Sequence, residues 1–162
     1  MMDGYANRNA TLRRIDHGDI SNVGSLIRKT ILDCYTDVYP PLAVDYFLRY
    51  HQDSSIEKRA SCGVVLVAEV EGEIAGTGSL VGDEISGVFV RSRYQGNGVG
   101  NLVMDELEAR GRRAGLDEVT LSISLSSRGF YKGRGYEILR EAEIDLGMGQ
   151  ALVYWVGRKR LG

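Results

Sequence analysis

The chain has 162 residues, 43% of them hydrophobic, and a formal net charge of −2. That length and apolar content suit one domain with a full core, expected over residues 1–162, and no apolar run reaches the length that spans a bilayer. A near-neutral balance argues against a nucleic-acid partner, because phosphate neutralisation by Lys and Arg normally leaves a basic excess.

The opening Met1-Met2-Asp3-Gly4-Tyr5-Ala6-Asn7-Arg8 lacks the basic-then-apolar order of a signal peptide, so a soluble cytoplasmic protein is expected. Thr11 to Ile15 reads as a first strand. From Asp16 onward Ile20, Val23, Ile27 and Ile31 recur at helical spacing. Pro40-Pro41 interrupts that pattern and suits the start of a second helix, on which Val44, Phe47, Leu48 and His51 share a face. His51 reads as a packing or rim residue and His17 as a turn residue. Tyr35, Tyr39, Tyr46 and Tyr50 cluster with Asp33, Asp37 and Asp45 around these helices. The plain reading of that cluster is a packed pair with a charged rim; the other is a wall suited to a cationic amine. Cys34 and Cys62 stand far apart without Cys-x-x-Cys or Cys/His spacing, so no metal site or redox motif is expected, only reduced and partly buried thiols.

Val64 to Val70, Ile74 to Val81 and a run ending at Val90 mark three strands. Short turns at Glu71-Gly72-Glu73 and Val81-Gly82-Asp83 make them antiparallel neighbours. The third enters a glycine-rich loop that opens into a helix running to about Ala114. Gly96, Gly98 and Gly100 let the loop turn tightly and remove Cβ atoms. Its amides and the unpaired N–H groups of the first helical turn then face one small volume where the helix dipole favours negative charge, which makes a phosphate cradle. A P-loop needs Gly-Lys-Ser/Thr where this chain has Gly98-Val99-Gly100-Asn101. A dinucleotide fingerprint begun at Gly96 puts its third glycine at Asn101, and Glu118 precedes the next strand instead of ending it. What remains is Gln95-x-x-Gly98-x-Gly100. On the helix, Glu106–Arg110 and Glu108–Arg112 are expected as pairs one turn apart.

Beyond it Val119, Leu121, Ile123 and Leu125 alternate with polar residues in a strand, and a short helix follows around Phe130. Two last strands, near Tyr136 to Ile144 and Gln150 to Val156, join through Gly147-Met148-Gly149. Arg158-Lys159-Arg160 reads as a solvated end. The order β-α-α-β-β-β-α-β-α-β-β is an α+β arrangement, a mixed central sheet flanked by helices.

Three features stand in one order: the strand pair Val64 to Val81, the Gln95-x-x-Gly98-x-Gly100 loop, and Ser127-Arg128-Gly129-Phe130-Tyr131-Lys132-Gly133-Arg134-Gly135-Tyr136. Together they resemble the GCN5-related N-acetyltransferases (GNAT), over roughly Val64 to Val156; the family often has Ala or Asn where Ser126 to Gly129 stand here. The resemblance implies the acyl-CoA N-acyltransferase fold of that family, an α/β sandwich in which the strands flanking the Gly98 helix splay apart around the pantetheine arm of acetyl-CoA. It implies acetyl-CoA as cosubstrate, with no metal. Backbone groups of Val88, Phe89 and Val90 would pair with the pantetheine amides. Gln95, Gly96, Asn97, Gly98, Val99 and Gly100 would hold the pyrophosphate, and Ser127 and Lys132 would reach the adenosine end.

Acetyl transfer to an amine needs a neutral amine, and an ordinary alkylammonium costs about 4.6 kcal/mol to neutralise at pH 7. Glu84 is the candidate base: its offset from Gln95 resembles the catalytic glutamate of histone-type members, and partial burial would raise its pKa. The other reading of Asp83 and Glu84 is a plain polar turn. Tyr131 occupies the tyrosine of the family's Phe-Tyr pair, whose hydroxyl donates toward the coenzyme sulfur, and the Val90 N–H is the expected oxyanion donor. The expected activity is acetyl-CoA-dependent N-acetylation of a primary amine on a small molecule. The alternatives are a non-catalytic acyl-CoA-binding or sensor module on the same fold, and an acetyltransferase for a protein N-terminus or lysine with a peptide amine as acceptor. A homodimer is left open.

Overall fold

The computed structural model describes residues 9–162, and the reading of Met1 to Arg8 lies outside the described residues. In chain order the elements are β1 (Ala10–Arg14), α1 (Ile20–Cys34), α2 (Pro41–Tyr50), α3 (Asp53–Cys62), β2 (Val64–Val70), β3 (Glu73–Val81), β4 (Glu84–Val90), α4 (Val99–Arg113), β5 (Glu118–Ile123), α5 (Arg128–Gly133), β6 (Glu137–Gly147) and β7 (Gln150–Arg160). The strands form one mixed sheet in the order β1-β2-β3-β4-β5-β7-β6. Tight turns keep β2, β3 and β4 antiparallel. β4 and β5 are parallel, as a connection through α4 requires.

Period-two alternation divides the sheet's apolar residues between two cores. Leu66, Ala68, Val119, Leu121 and Ile123 pack with Val99, Val103, Met104 and Leu107 of α4. Val67, Ile74, Phe89 and Leu152 pack on the other face with Val23, Leu26, Ile27 and Ile31 of α1 and Ala43 and Val44 of α2. The layering is the expected one, with one helix more. α3 was not foreseen because Ile56 is its only buried residue, so no apolar stripe marks it.

Three local expectations are corrected. Glu108 does not pair with Arg112: it is buried, and it accepts hydrogen bonds from Lys159 Nζ (2.8 Å) and Tyr136 Oη (2.9 Å) while Arg134 lies 3.1 Å away. Arg112 instead donates to the Leu161 carbonyl. Arg158, Lys159 and Arg160 are therefore no loose end but the last residues of β7. Cys34 is half-buried as expected, whereas Cys62 is exposed.

What positions the site is a defect in β4. Thr77 stands opposite Phe89 and Ser79 opposite Ser86, so Gly87 and Val88 together face Gly78. This is a β-bulge, and Gly87 takes the positive φ of 63° that a bulge of this kind asks of a glycine. The bulge turns β4 away from β5. Their pairing runs only through Glu84 opposite Thr120 and Ile85 opposite Leu121, while β5 stays paired with β7 as far as Ile123. The sheet splits there.

Candidate active site

The loop after β4 is stapled to the β2–β3 turn through Glu73. Its carboxylate accepts from Tyr94 Oη (3.0 Å) and pairs with Arg91 and Arg93. Gly96 (φ 79°) and Gly98 (φ 83°) then take left-handed conformations that cost little only for glycine. α4 begins at Val99, and its first backbone bond runs from Leu102 N–H to the Gly98 carbonyl. The N–H groups of Val99, Gly100 and Asn101 thus have no acceptor within the helix, and its first turn carries no acidic side chain. Arginines 110, 112 and 113 occupy its last turn, so charge follows the helix dipole at both ends.

These N–H groups border a cleft of about 440 Å³ where β4 and β5 part. Of the residues expected at the cofactor, it brings together Val88, Phe89, Val90, Gln95, Gly96, Gly98, Gly100 and Ser127. Asn97 is exposed and does not line it, and the Val99 side chain is buried in the α4 core, leaving only its amide on offer. Lys132 lies outside the cleft as well. Arg91 N–H bonds to Ala75 O at 2.8 Å, so alternation turns the Val90 N–H away from β3, toward the open side. The Gln95 side chain folds back to donate from Nε2 to the Val90 carbonyl at 2.9 Å. Thr30 and Cys34 of α1 also line the cleft; nothing in their helical spacing distinguished them from ordinary surface.

A second cavity of about 200 Å³ adjoins the first. Tyr46, Tyr50, His51, Glu84 and Tyr154 line it, and it shares Tyr35, Val88, Phe89, Ser127 and Tyr131 with the cleft. The two candidate catalytic residues therefore sit in one space. Tyr131 is buried where the cavities meet; burial, and then the neighbouring Tyr35, lift its phenol well above the ordinary value, so it stays protonated. Burial likewise pushes the Tyr35 hydroxyl up to about 12, against the Ser124 side chain. Glu84 is exposed at the cavity's edge, without the partial burial that would help it act as a base.

The cluster follows its plain reading, a packed pair with a charged rim, more closely than the alternative of an aromatic and acidic wall. Tyr35, Tyr46 and Tyr50 line the cavity, whereas Asp33, Asp37 and Asp45 are exposed and do not. Tyr39 is structural: its hydroxyl accepts from Leu125 N–H (2.8 Å) and donates to the Val153 carbonyl (3.2 Å), fixing the end of β5 to β7. His51 packs edge-on against Tyr50 and Phe89, as its helix face foretold, but it also lines the cavity. Burial and then the Arg59 charge hold its pKa down at about 3, so the ring is neutral, and Nδ1 has no partner among the described residues. Among the described residues no group of three or more His, Cys, Asp and Glu is arranged to hold a metal, and no helix is long and apolar enough to cross a membrane.

A family model described as an acetyltransferase (GNAT) domain matches residues 35–147. A curated relative, the [citrate [pro-3S]-lyase] ligase of Klebsiella pneumoniae, is 25% identical over 100 residues, which is 62% of this chain and 28% of that protein. The chain thus spans little more than a quarter of that relative's length. The crystal structure of a GCN5-related N-acetyltransferase (aminotransferase, class-II) from Rhodopseudomonas palustris superposes with a TM-score of 0.85 at 23% identity, covering 94% of this chain and 96% of that one. The yncA protein of Salmonella typhimurium, solved with its cofactor acetyl-CoA, gives 0.69 at 21% identity over 96% and 95%. The paia N-acetyltransferase of Thermoplasma acidophilum, in complex with coenzyme A, gives 0.71 at 13% over 93% and 98%. At these identities the solved structures establish a shared fold.

Proposed function

The chain belongs to the GNAT acetyltransferase family, and we propose that it is an acetyl-CoA-dependent N-acetyltransferase acting on the primary amine of a small molecule in the cytoplasm. We read residues 1–162 as one such domain. The observation that carries the proposal is the junction of the two cavities at Phe89 and Tyr131, with an anion-receptive helix end on one side and Glu84 on the other.

When bound, acetyl-CoA supplies an acetyl thioester, and the residues present fit it. The free N–H groups of Val99, Gly100 and Asn101, with no acid nearby in the first turn, suit a pyrophosphate. The unpaired edge from Val88 to Val90 suits an arm that carries amides. In this reading Gln95 must exchange its bond to the Val90 carbonyl for one to the cofactor. The Val90 N–H donates to the thioester oxygen as negative charge grows there. Glu84 takes a proton from the ammonium, directly or through water, and the neutral amine attacks the acetyl carbon. Once the C–N bond has formed the C–S bond breaks, Tyr131 gives its proton to the departing sulfur, and the nitrogen's second proton returns to the Tyr131 oxygen through water, leaving a neutral amide.

The cavity has walls from α2, β4, β5 and the β6–β7 hairpin, which supports a small amine over a protein chain as acceptor. The test is thiol release from acetyl-CoA across a panel of small amines and peptides. Turnover of a small amine, amino acids and dipeptides included, supports the reading; turnover of long protein-derived peptides alone points to a protein acetyltransferase, and binding without turnover to a silent acyl-CoA module.

A further inference from the structure

Arg59 is a half-buried residue of α3. It stands on the inner face of α3, one turn after the buried Ile56, and reaches over the β4 bulge. A Cβ on Gly87 would lie 3.0 Å from its Nη2, so glycine there answers to the guanidinium as well as to the positive φ. Arg59 does not itself line the acceptor cavity, but its guanidinium lies against Gly87, which does, and its charge acts on Tyr50 and His51 of the same wall.

A guanidinium cannot shed its charge in a protein, so a shielded one normally faces a carboxylate. Arg59 does not. Its Nε is buried without a hydrogen-bond partner, and no ion pair joins it to any carboxylate among the described residues. Burial draws its pKa below the ordinary value, opposed only by Tyr50. Glu84, the one carboxylate lining the cavity among the described residues, also acts on Tyr50 but forms no ion pair with Arg59. One carboxylate, Glu84, thus lines the cavity, and one unpaired guanidinium stands behind its Gly87 wall, both close enough to act on Tyr50.

We propose that Arg59 binds a carboxylate of the acceptor, so that the amines acetylated here are amino acids or short peptides carrying a free carboxylate. A guanidinium presents parallel N–H donors that match a carboxylate, and a hydrogen bond between charged groups is worth on the order of 10–100-fold in selectivity. This proposal rests on the acetyltransferase reading of the same site.

The test compares the wild type with Arg59→Met and Arg59→Lys, each loaded with acetyl-CoA. The probes are the proteinogenic L-amino acids and their glycyl dipeptides, each set against its own carboxamide, read by thiol release and by melting. The expected result is a carboxylate preferred over its carboxamide by on the order of 10–100-fold in kcat/KM, or by a clearly larger melting shift. That ratio falls toward one in Arg59→Met and survives in part in Arg59→Lys. Arg59→Met without acceptor should melt no lower than the wild type, since it removes a charge that has no partner; an arginine kept for structure alone would give a drop. No carboxylate preference in the wild type by either readout, or an undiminished one in Arg59→Met, overturns the proposal. If acetyl-CoA itself fails to stabilise the wild type, the underlying reading falls and this proposal with it.

Discussion

Ile85 of β4 stands opposite Leu121 of β5, and past that pair the two strands part. From Ser86 to Val90, β4 keeps its partner on the β3 side but offers an open backbone edge on the other. An interior strand with an unpaired edge leaves polar groups that need partners. Here that edge runs straight into the loop and the exposed first turn of α4, so one continuous line of backbone donors and acceptors is left for a ligand.

Gly98→Val should lower the melting temperature and remove most of the stabilisation by acetyl-CoA. A β-branched residue at φ 83° costs about 1–2 kcal/mol, roughly 2–8 °C in a chain of this size, and displaces the first amides of α4. Melting with and without ligand checks this. A variant that folds and keeps the full ligand-induced shift shows that the loop does not hold the phosphates.

Tyr131→Phe should retain acetyl-CoA binding and lose ~10²–10⁴-fold in kcat. Because burial raises the phenol, Tyr131 remains a proton donor throughout the working range, and it sets no alkaline limb below about pH 10. A falling limb below that pH that vanishes in Tyr131→Phe contradicts this. Glu84→Gln, measured beside it, should also lower kcat without touching cofactor binding; an unchanged kcat leaves deprotonation to water.

His51 should make stability sensitive to mild acid. The unfolded chain takes up a proton below about pH 6.5, whereas the native ring resists it down to about 3. The unfolded state therefore binds more protons in that window, and stability is lost as pH falls. Between pH 6.5 and 5 the wild type should lose about 2 kcal/mol more than His51→Gln, measured by urea unfolding. Parallel curves for the two proteins refute it.

Much of this was legible from residues. The glycines of the loop, the alternation of β2 to β5 and the Phe130-Tyr131 pair are local signals, and local geometry kept them together. What stayed hidden depends on distant partners. Glu108 looked like half of an exposed pair because Arg112 lies one turn on, yet its real partner Lys159 arrives from β7, 51 residues away. α3 shows one apolar anchor, Ile56, too few for a period, and Arg59 was invisible with it. The side chain of Val99 belongs to the core because Gly76 of β3 leaves room for it, a relation no spacing reveals.

Glu108→Ala should be among the most damaging changes away from the cleft. It strips the half-buried Lys159 ammonium and the buried Tyr136 hydroxyl of their acceptor, while Arg134 keeps only Asp105 and Asn101. Leaving buried charge unpaired typically costs about 3–5 kcal/mol, a melting loss on the order of 10 °C. A loss of under about 2 °C means that water replaces the carboxylate.

The most direct measurement is the melting temperature of the wild type with and without acetyl-CoA. Ligand at roughly 100 times its Kd stabilises the native state by about 2.7 kcal/mol, which predicts a rise of roughly 5–11 °C. Such a rise, lost in Gly98→Val, places the cofactor on the split sheet and the α4 amides. No rise at roughly millimolar acetyl-CoA would contradict the account at its root.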